Sequence, residues 1–531
     1  MTTRQRATLA AAILGSAIVF LDGTIVSIAL PRIGRELPGT IVGTLEAETY
    51  ISSGYLATLA AFLVLAGALG DFYGRRRMFL IGLTGFGVAS IICGLAPSLE
   101  ILALARVVQG IAGALLVPGS LSIITATFDG PERGRAFGIW AASTSAIAVF
   151  GPPIGGILVE TAGWRSAFLI NIPVVILAIW LGRRMAETRD ETATGHFDWL
   201  GAAVAAVAIG GLSFGAIRGQ EKQWQDPVAF AALGFGALGL IAFPILMVVR
   251  PHPLVPLSLF RIRAFAAINL STLLIYGALY TNFLFVSLFV QGPLGYSPLG
   301  AAVVGLPGGI FLTFLSARVG AVAGRIGARR FLVAGPVIMA IGLLWWLRVP
   351  ATSTPWKASL SDPASLIPPL STFFDPLPAV ILFGLGISLV VAPLTSTLMS
   401  SIPVRNAGLG SAINNALSRV GSPFITAAVF IVVNGAFYSA LAAAVPGTDP
   451  GSASLRSTFQ PLNPPPSTAD PALAAAAQIA STDAFHLAVI VCAVLLVAGA
   501  LVNLFGLRSE AGAPQAAGGA VAGDEAAEGT T

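Results

Sequence analysis

The sequence predicts an all-α polytopic membrane protein: two six-helix, pseudo-symmetric bundles plus two inserted helices, fourteen transmembrane helices in all. Three observations predict it. The composition is too poor in charge for a water-facing surface, apolar runs of spanning length follow one another along the chain, and a glycine–arginine motif recurs. Of 531 residues, 56% are hydrophobic and 10% charged, and mean hydropathy is +0.86. Soluble chains carry about 25% charged residues, so a body of this size has too little charge to cover itself in water. That excludes a large soluble enzyme, a disordered chain, a coiled coil or a nucleic-acid-binding protein as the main body. The net charge of +5 is no basic patch.

A spanning helix needs about 20 mostly apolar residues. Fourteen runs qualify: 9–30, 50–70, 78–96, 101–127, 136–159, 166–182, 198–217, 228–249, 265–290, 298–317, 331–347, 377–401, 408–434 and 485–506. Outer-membrane strands would be alternating segments of about 10 residues, which these are not. The first run follows Arg4 and Arg6 as a signal peptide would, but it continues past Asp22 to Leu30 and stays as a helix. Basic residues favour cytoplasmic loops. With a cytoplasmic N-terminus and one crossing per run, 19 of the 29 Lys and Arg fall inside and 8 outside, leaving Arg106 and Arg419 within spans. Removing one span would break this alternation downstream. The expected location is therefore the cell (inner) membrane, multi-pass, with both termini cytoplasmic.

Gly67-Ala-Leu-Gly-Asp71-Phe-Tyr-Gly74-Arg75-Arg76-Arg77 follows the second run, and Gly320-Ala-Val-Ala-Gly324-Arg-Ile-Gly327-Ala-Arg329-Arg330 follows the tenth. The two align at an offset of 253 residues. Repeated halves are a mark of secondary transporters, whose halves rock around a midplane site. With six spans per half, the second copy would follow span eight. Its place after span ten puts two extra helices, 198–217 and 228–249, between the halves. The expected organisation is an N-terminal bundle over 1–190, a linker with the inserted pair over 191–262, a C-terminal bundle over 263–508 and a disordered tail over 509–531. The outer loops 348–376 and 435–484, rich in Pro, Ser and Ala, read as exposed connectors.

Cys93 and Cys492 lie in apolar runs and read as small buried hydrophobes. His196, His252 and His486 are scattered without metal-ligand spacing. No nucleophile–base pair or phosphate-binding Gly-Lys motif is present. The expectation is no enzyme, no metal and no cofactor.

Several segments resemble the major facilitator superfamily, and the resemblance covers nearly the whole chain. Gly67 to Arg77 is similar to its cytoplasmic loop signature G-x-L-x-D-R-x-G-R-R, with Phe72 where the family has Arg. Arg106-Val-Val-Gln109-Gly110 resembles the fourth-helix motif R-x-x-Q-G. Gly151-Pro152-Pro-Ile-Gly155-Gly156 resembles the fifth-helix motif G-P-x-x-G-G associated with antiporters. Leu21-Asp22-Gly-Thr24-Ile-Val-Ser27 through Pro31 resembles the first-helix signature of the fourteen-span drug:proton antiporters, with Ser27 for the usual Asn. Trp164-Arg165, Phe168 to Pro173 with Asn171, and Asn415, Arg419 and Gly421 fit the same subfamily.

Asp22 lies deep in the first span. An ionised carboxylate there costs about 2.5–3.5 kcal/mol on insertion scales, so such residues mark ion or substrate pathways. Burial favours the neutral acid and a nearby cation the carboxylate, so Asp22 is expected to be the protonation switch, or else a helix-pairing acid. Arg106 is its natural partner, with Gln109 at i+3 on the same face. The resemblance implies a role for Arg106 in proton coupling; packing through backbone carbonyls is the alternative. Gly151, Pro152, Gly155 and Gly156 act through close packing and kinking, a conformational role without substrate contact. Gly67, Asp71, Gly74, Arg75 and Arg76, with Arg77, are expected either to latch two bundles in one state or merely to set topology. Glu46, Glu48 and Glu160 read as interfacial. The substrate cavity is expected to draw on Phe20, Thr24, Gln109, Tyr280, Asn415 and Arg419; Tyr55, Trp140, Phe150, Tyr276, Phe283 and Phe285 are further aromatics of the same kind. Arg419 by its family pattern says little about substrate charge.

The function expected is proton-coupled efflux of amphipathic, drug-like small molecules by alternating access, with the proton as coupling ion, lipid as surroundings, no nucleic acid and a monomeric state. Alternatives are a proton-coupled transporter of a specific metabolite, lipid or siderophore, or, in a different class, a receptor or channel.

Overall fold

The computed structural model describes residues 1–38, 44–191, 196–221, 225–359, 362–445, 449, 452–465 and 470–508. Glu46 and Glu48 lie outside the described side chains, and the expected tail 509–531 lies outside the described residues. Among the described residues fourteen helices follow the apolar runs; twelve are long and apolar enough to cross a membrane, and the sixth, Ser166–Gly182, is shorter. They are α1 (Thr3–Glu36), α2 (Thr44–Tyr73), α3 (Arg75–Gly94), α4 (Leu99–Thr127, one helix through Leu115), α5 (Gly130–Ala162), α6 (Ser166–Gly182), α7 (Trp199–Glu221) and α8 (Pro227–Val249). The C-terminal set is α9 (Arg263–Gln291), α10 (Pro298–Ile326), α11 (Arg329–Trp345), α12 (Pro376–Ser400), α13 (Ala407–Ala444) and α14 (Pro471–Gly506). Among the described residues no strand forms. The protein is a multi-pass membrane protein.

The helix ends are written in the sequence. Asp226, Ser297 and Asp470 each accept a backbone N–H at the start of a helix whose first residue is proline, pairing an N-cap with a residue that has no N–H to lose. Gly74 (φ 111°) separates α2 from α3, and Gly327 (φ 90°) ends α10. These are aligned positions of the repeat, and both use the left-handed backbone that glycine tolerates. The arginines that follow also behave alike. Arg76 donates to the Met185 carbonyl just after α6, and Arg329 donates to Leu504 near the end of α14.

Helices α1–α6 pack together, as do α9–α14. The two largest contacts between the sets are where α2 crosses α13 and where α5 crosses α10; α4 also packs on α13 and α5 on α12. Both crossings are glycine-lined. A Cβ on Gly67 would strike the Gly408 carbonyl and Ala412, and one on Gly138 would lie 2.8 Å from Ala317 Cα. Gly320, the repeat partner of Gly67, sits in the second crossing, where an added Cβ would lie 3.0 Å from the Gly134 carbonyl oxygen. The repeat therefore supplies a glycine to each of these two crossings on the face that carries Met1 and Arg508, called here the terminal face.

Helix α7 packs on both α2 and α13, and α8 packs on α7. Asp198, before α7, clips the pair at the terminal face: it accepts from the Arg250 guanidinium at 2.9 Å and from the Leu254 N–H at 3.1 Å. Across the pair's opposite end Arg218 bonds Asp226.

The loop after α11 departs from expectation. The described part of 348–376 is folded onto the opposite face. Trp356 is 8% exposed, donates to the Ser365 carbonyl at 2.8 Å, and offers its own carbonyl to the N–H of Ser297, the residue that caps α10. Ser353, Ala358 and Thr372 are buried with it, and Ser353 donates to Asp375 Oδ2 at 2.5 Å, in a segment whose polar composition gave no sign of packing.

Candidate functional site

Asp22 stands at the centre of α1–α6 with no solvent exposure. Its Oδ2 accepts from Arg106 Nη1 at 2.5 Å. Its Oδ1 accepts from Gln109 Nε2 at 3.1 Å and from Asn171 Nδ2 at 3.2 Å. Arg106 and Gln109 share one face of α4, as i, i+3 spacing requires, and Arg106 Nη1 also donates to Gln109 Oε1 at 2.6 Å. Both amides reach Ser90 Oγ, at 2.8 Å and 3.3 Å. Arg106 spends its Nε on the Ile51 carbonyl at 3.2 Å, and its guanidinium lies 3.9 Å from the Tyr55 ring centroid. Five helices (α1, α2, α3, α4 and α6) thus converge on one carboxylate.

The physics of this cluster is that of a buried ion pair. Taking both charges out of water is expensive, and the pair is tolerated when the remaining lone pairs and protons are satisfied. Here the carboxylate has three donors, one cationic. Removing its charge would leave Arg106 without a counter-ion in an apolar bundle. The charge state of Asp22 and the packing around it are therefore coupled.

The structure brings Asp22, Arg106 and Gln109 together, with Gln109 fully buried in this cluster and not on an open cavity wall. The sequence placed Asn171 in a motif without giving it a part, and it did not single out Ser90. Thr24, two residues beyond Asp22, donates to the carbonyls of Phe20 and Leu21 and packs under Gly151, where an added Cβ would collide with its hydroxyl. Gly155 admits Ile25 in the same way, with 3.0 Å to Ile25 Cγ1. These two glycines hold α5 against the segment of α1 that carries Asp22. Gly156 faces open space instead, and the side chains of Pro152 and Ser27 lie outside the described residues. Phe20 is half-buried.

Asn415 turns its amide to Ser411 on its own helix. Tyr280, on α9, is 44% exposed and 6.2 Å from Tyr276. Arg419 is half-buried on α13. All three belong to the second bundle, and none joins the Asp22 cluster.

The glycine–arginine motif forms a second polar site. Asp71 accepts from Arg75 Nε and Nη2 at 3.0 and 2.8 Å on its own side. Across the bundle boundary it accepts from the backbone N–H of Gly408 at 3.1 Å and of Leu409 at 2.8 Å, at the start of α13. Arg75 also reaches the Val404 carbonyl. A carboxylate at a helix N-terminus meets unpaired N–H groups and the positive end of the helix dipole. In the second copy of the repeat Gly324 takes the place of Asp71, so the acid serves one crossing of the two.

The chain belongs to the Major Facilitator Superfamily, whose model matches residues 12–426. It is 33% identical over 423 residues to the multidrug resistance protein Stp of Mycobacterium tuberculosis, covering 80% of this chain and 74% of that one. It is 31% identical over 427 residues to the tetracenomycin C resistance and export protein of Streptomyces glaucescens, covering 80% and 75%. The solved structure of the proton:xylose symporter XylE shares the fold, with a TM-score of 0.57 at 13% identity over 94% of this chain and 95% of that one. The fold expected from the sequence is the fold observed.

Proposed function

We propose that this protein is a proton-coupled exporter of amphipathic, drug-like or toxic small molecules, working by alternating access across the cytoplasmic membrane as a monomer with both termini in the cytoplasm. The relatives named for multidrug resistance and antibiotic export support the efflux reading. The observation that carries the coupling is Asp22: a fully buried carboxylate whose charge is balanced by Arg106.

Proton arrival at Asp22 ends the ion pair and releases Arg106 from its strongest contact. Loss of the proton restores the pair. Gln109, Asn171 and Ser90 hold the carboxyl in place through both events. The bundles meet at the terminal face through Asp71, Gly408 and Leu409, so this conformation is closed to the cytoplasm, and the alternate state must break those bonds. No cofactor takes part. A dication finds no spare acid at the Asp22 level, since Arg106 already occupies this carboxylate, and is expected to be handled poorly.

The test is efflux from proteoliposomes under an imposed pH gradient, with and without protonophore, alongside an electrical recording. Gradient-driven efflux that protonophore collapses, with no steady conductance, supports an antiporter. A steady conductance would support the channel alternative and overturn the proposal.

A further inference from the structure

Arg419 is a charge inside a membrane span that no described residue neutralises by an ion pair. Among the described residues it makes no hydrogen bond and no ion pair, whereas Arg106, the other arginine within a span, is fully engaged. Charged side chains in spans face the bundle interior or a water-filled cavity and mark functional paths.

Two registers place it. Gly408, Ala412, Asn415 and Arg419 are spaced four, three and four apart, which is one helix face, and Gly408 and Ala412 touch Gly67 of α2. Tyr55 lies 12 residues before Gly67 and Arg419 lies 11 after Gly408 on the antiparallel helix. At about 1.5 Å per residue both stand roughly 17 Å from the contact, so they are level, and Arg419 is within Coulombic reach of Tyr55. On the other side, Asn414–Thr272 at 2.8 Å and Thr426–Thr281 at 2.8 Å join α13 to α9. Between those two rungs stand Arg419 and Tyr276, with Tyr280 one turn further on. The order across the bundle boundary is therefore Asp22, Arg106, Tyr55, Arg419, with the α9 tyrosines beside the last.

We infer that Arg419 is the docking point for the anionic group of a carboxylate-bearing amphiphile, whose apolar body lies along Tyr276 and Tyr280 of α9. The charge balance carries this. Asp22 and Arg106 cancel, which leaves this level of the molecule one positive charge in excess. A guanidinium presents a planar fork that matches a carboxylate in two parallel hydrogen bonds. Arg106 and Tyr55 stand between the docked anion and Asp22, so the two negative charges do not meet, and coupling between them runs through bundle movement. The inference rests on the efflux reading and narrows its substrate class to organic acids.

The test uses the purified full-length protein in nanodiscs and three dansyl probes of similar size: dansylglycine (anion), its methyl ester (neutral) and dansylcadaverine (cation). Binding is read by dansyl fluorescence without any proton gradient. A hydrogen bond to a charged group is worth about tenfold to a hundredfold in affinity. The wild type is expected to bind dansylglycine at least tenfold tighter than either other probe. Arg419→Gln is expected to bind acid and ester alike, and Arg419→Lys to keep part of the preference, which separates loss of charge from loss of fold. Equal wild-type binding of acid and ester, tighter binding of the cation, or an acid preference that survives Arg419→Gln would overturn the inference. Proteoliposome efflux is measured in parallel. Acid-selective binding without gradient-driven flux sinks the export reading and leaves the anion site standing, whereas driven flux with unselective binding sinks the anion site alone.

Discussion

Replacing Asp71 by Asn removes the charge at the bundle boundary while keeping the side chain's size. Of the bonds Asp71 makes, those to Arg75 stay within the first bundle and survive any movement of the second. The two that cross, from Gly408 N–H and Leu409 N–H, exist only while the terminal face is closed. A hydrogen bond to a charged group contributes about 1.5–3 kcal/mol. At the lower end the two crossing bonds favour the closed state by about 3 kcal/mol, a factor of roughly 100 in the closed-to-open ratio. An amide offers one neutral oxygen and turns an N–H toward donors, so most of that bias should vanish in the variant. Spin labels at Arg135 on α5 and Arg325 on α10, both exposed and beside the Gly134–Gly320 crossing, report the opening by pulsed electron resonance. The native cysteines are buried at 0% and 2% exposure and should stay unlabelled. The expected result is a new long-distance population in Asp71→Asn. Superimposable distance distributions in both proteins would refute the latch.

Two further outcomes follow from the same packing. Gly138→Val places its first carbon 2.8 Å from Ala317 Cα, inside van der Waals contact, so the terminal face should fail to close. Transport should fall at least tenfold with ligand affinity kept, and normal flux would show that this crossing yields. Asp198→Asn strips the clip of the inserted pair, leaving Arg250 without its counter-ion; breaking such a pair costs about 3–5 kcal/mol when fully buried and less here, since Arg250 is 40% exposed. A lowered melting temperature in detergent is expected, and an unchanged one would mean that α7 and α8 are held by their apolar contacts alone.

Much of this was legible in the sequence because the membrane imposes few choices. Every span must be long and apolar, so each of the fourteen runs has its helix among the described residues, twelve of them long and apolar enough to cross a membrane. Asp22 and Arg106 stood out for the same reason: charge in such surroundings is rare. Ser90 and Asn171 did not stand out. Small polar residues are common in spanning helices and carry no charge penalty to advertise them, and their part appears only when α3 and α6 fold against α1. Tyr55 was one aromatic among many until its ring was found under Arg106. The folded loop around Trp356 was missed because a proline-rich, weakly apolar stretch reads as a connector, and its few buried residues, Val349, Ser353, Trp356, Ala358 and Thr372, follow no periodic pattern. Arg419 was legible as an intramembrane charge, but that it bonds to no described residue is a fact about neighbours, which the sequence does not give.

The central claim is that the Asp22 carboxyl couples proton flow to transport. Its most direct measurement compares wild type with Asp22→Asn in proteoliposomes for two activities: uphill movement of substrate driven by a pH gradient, and gradient-free exchange of labelled for unlabelled substrate. The account expects the variant to lose the driven movement and keep the exchange. Undiminished accumulation against a gradient by Asp22→Asn would contradict it.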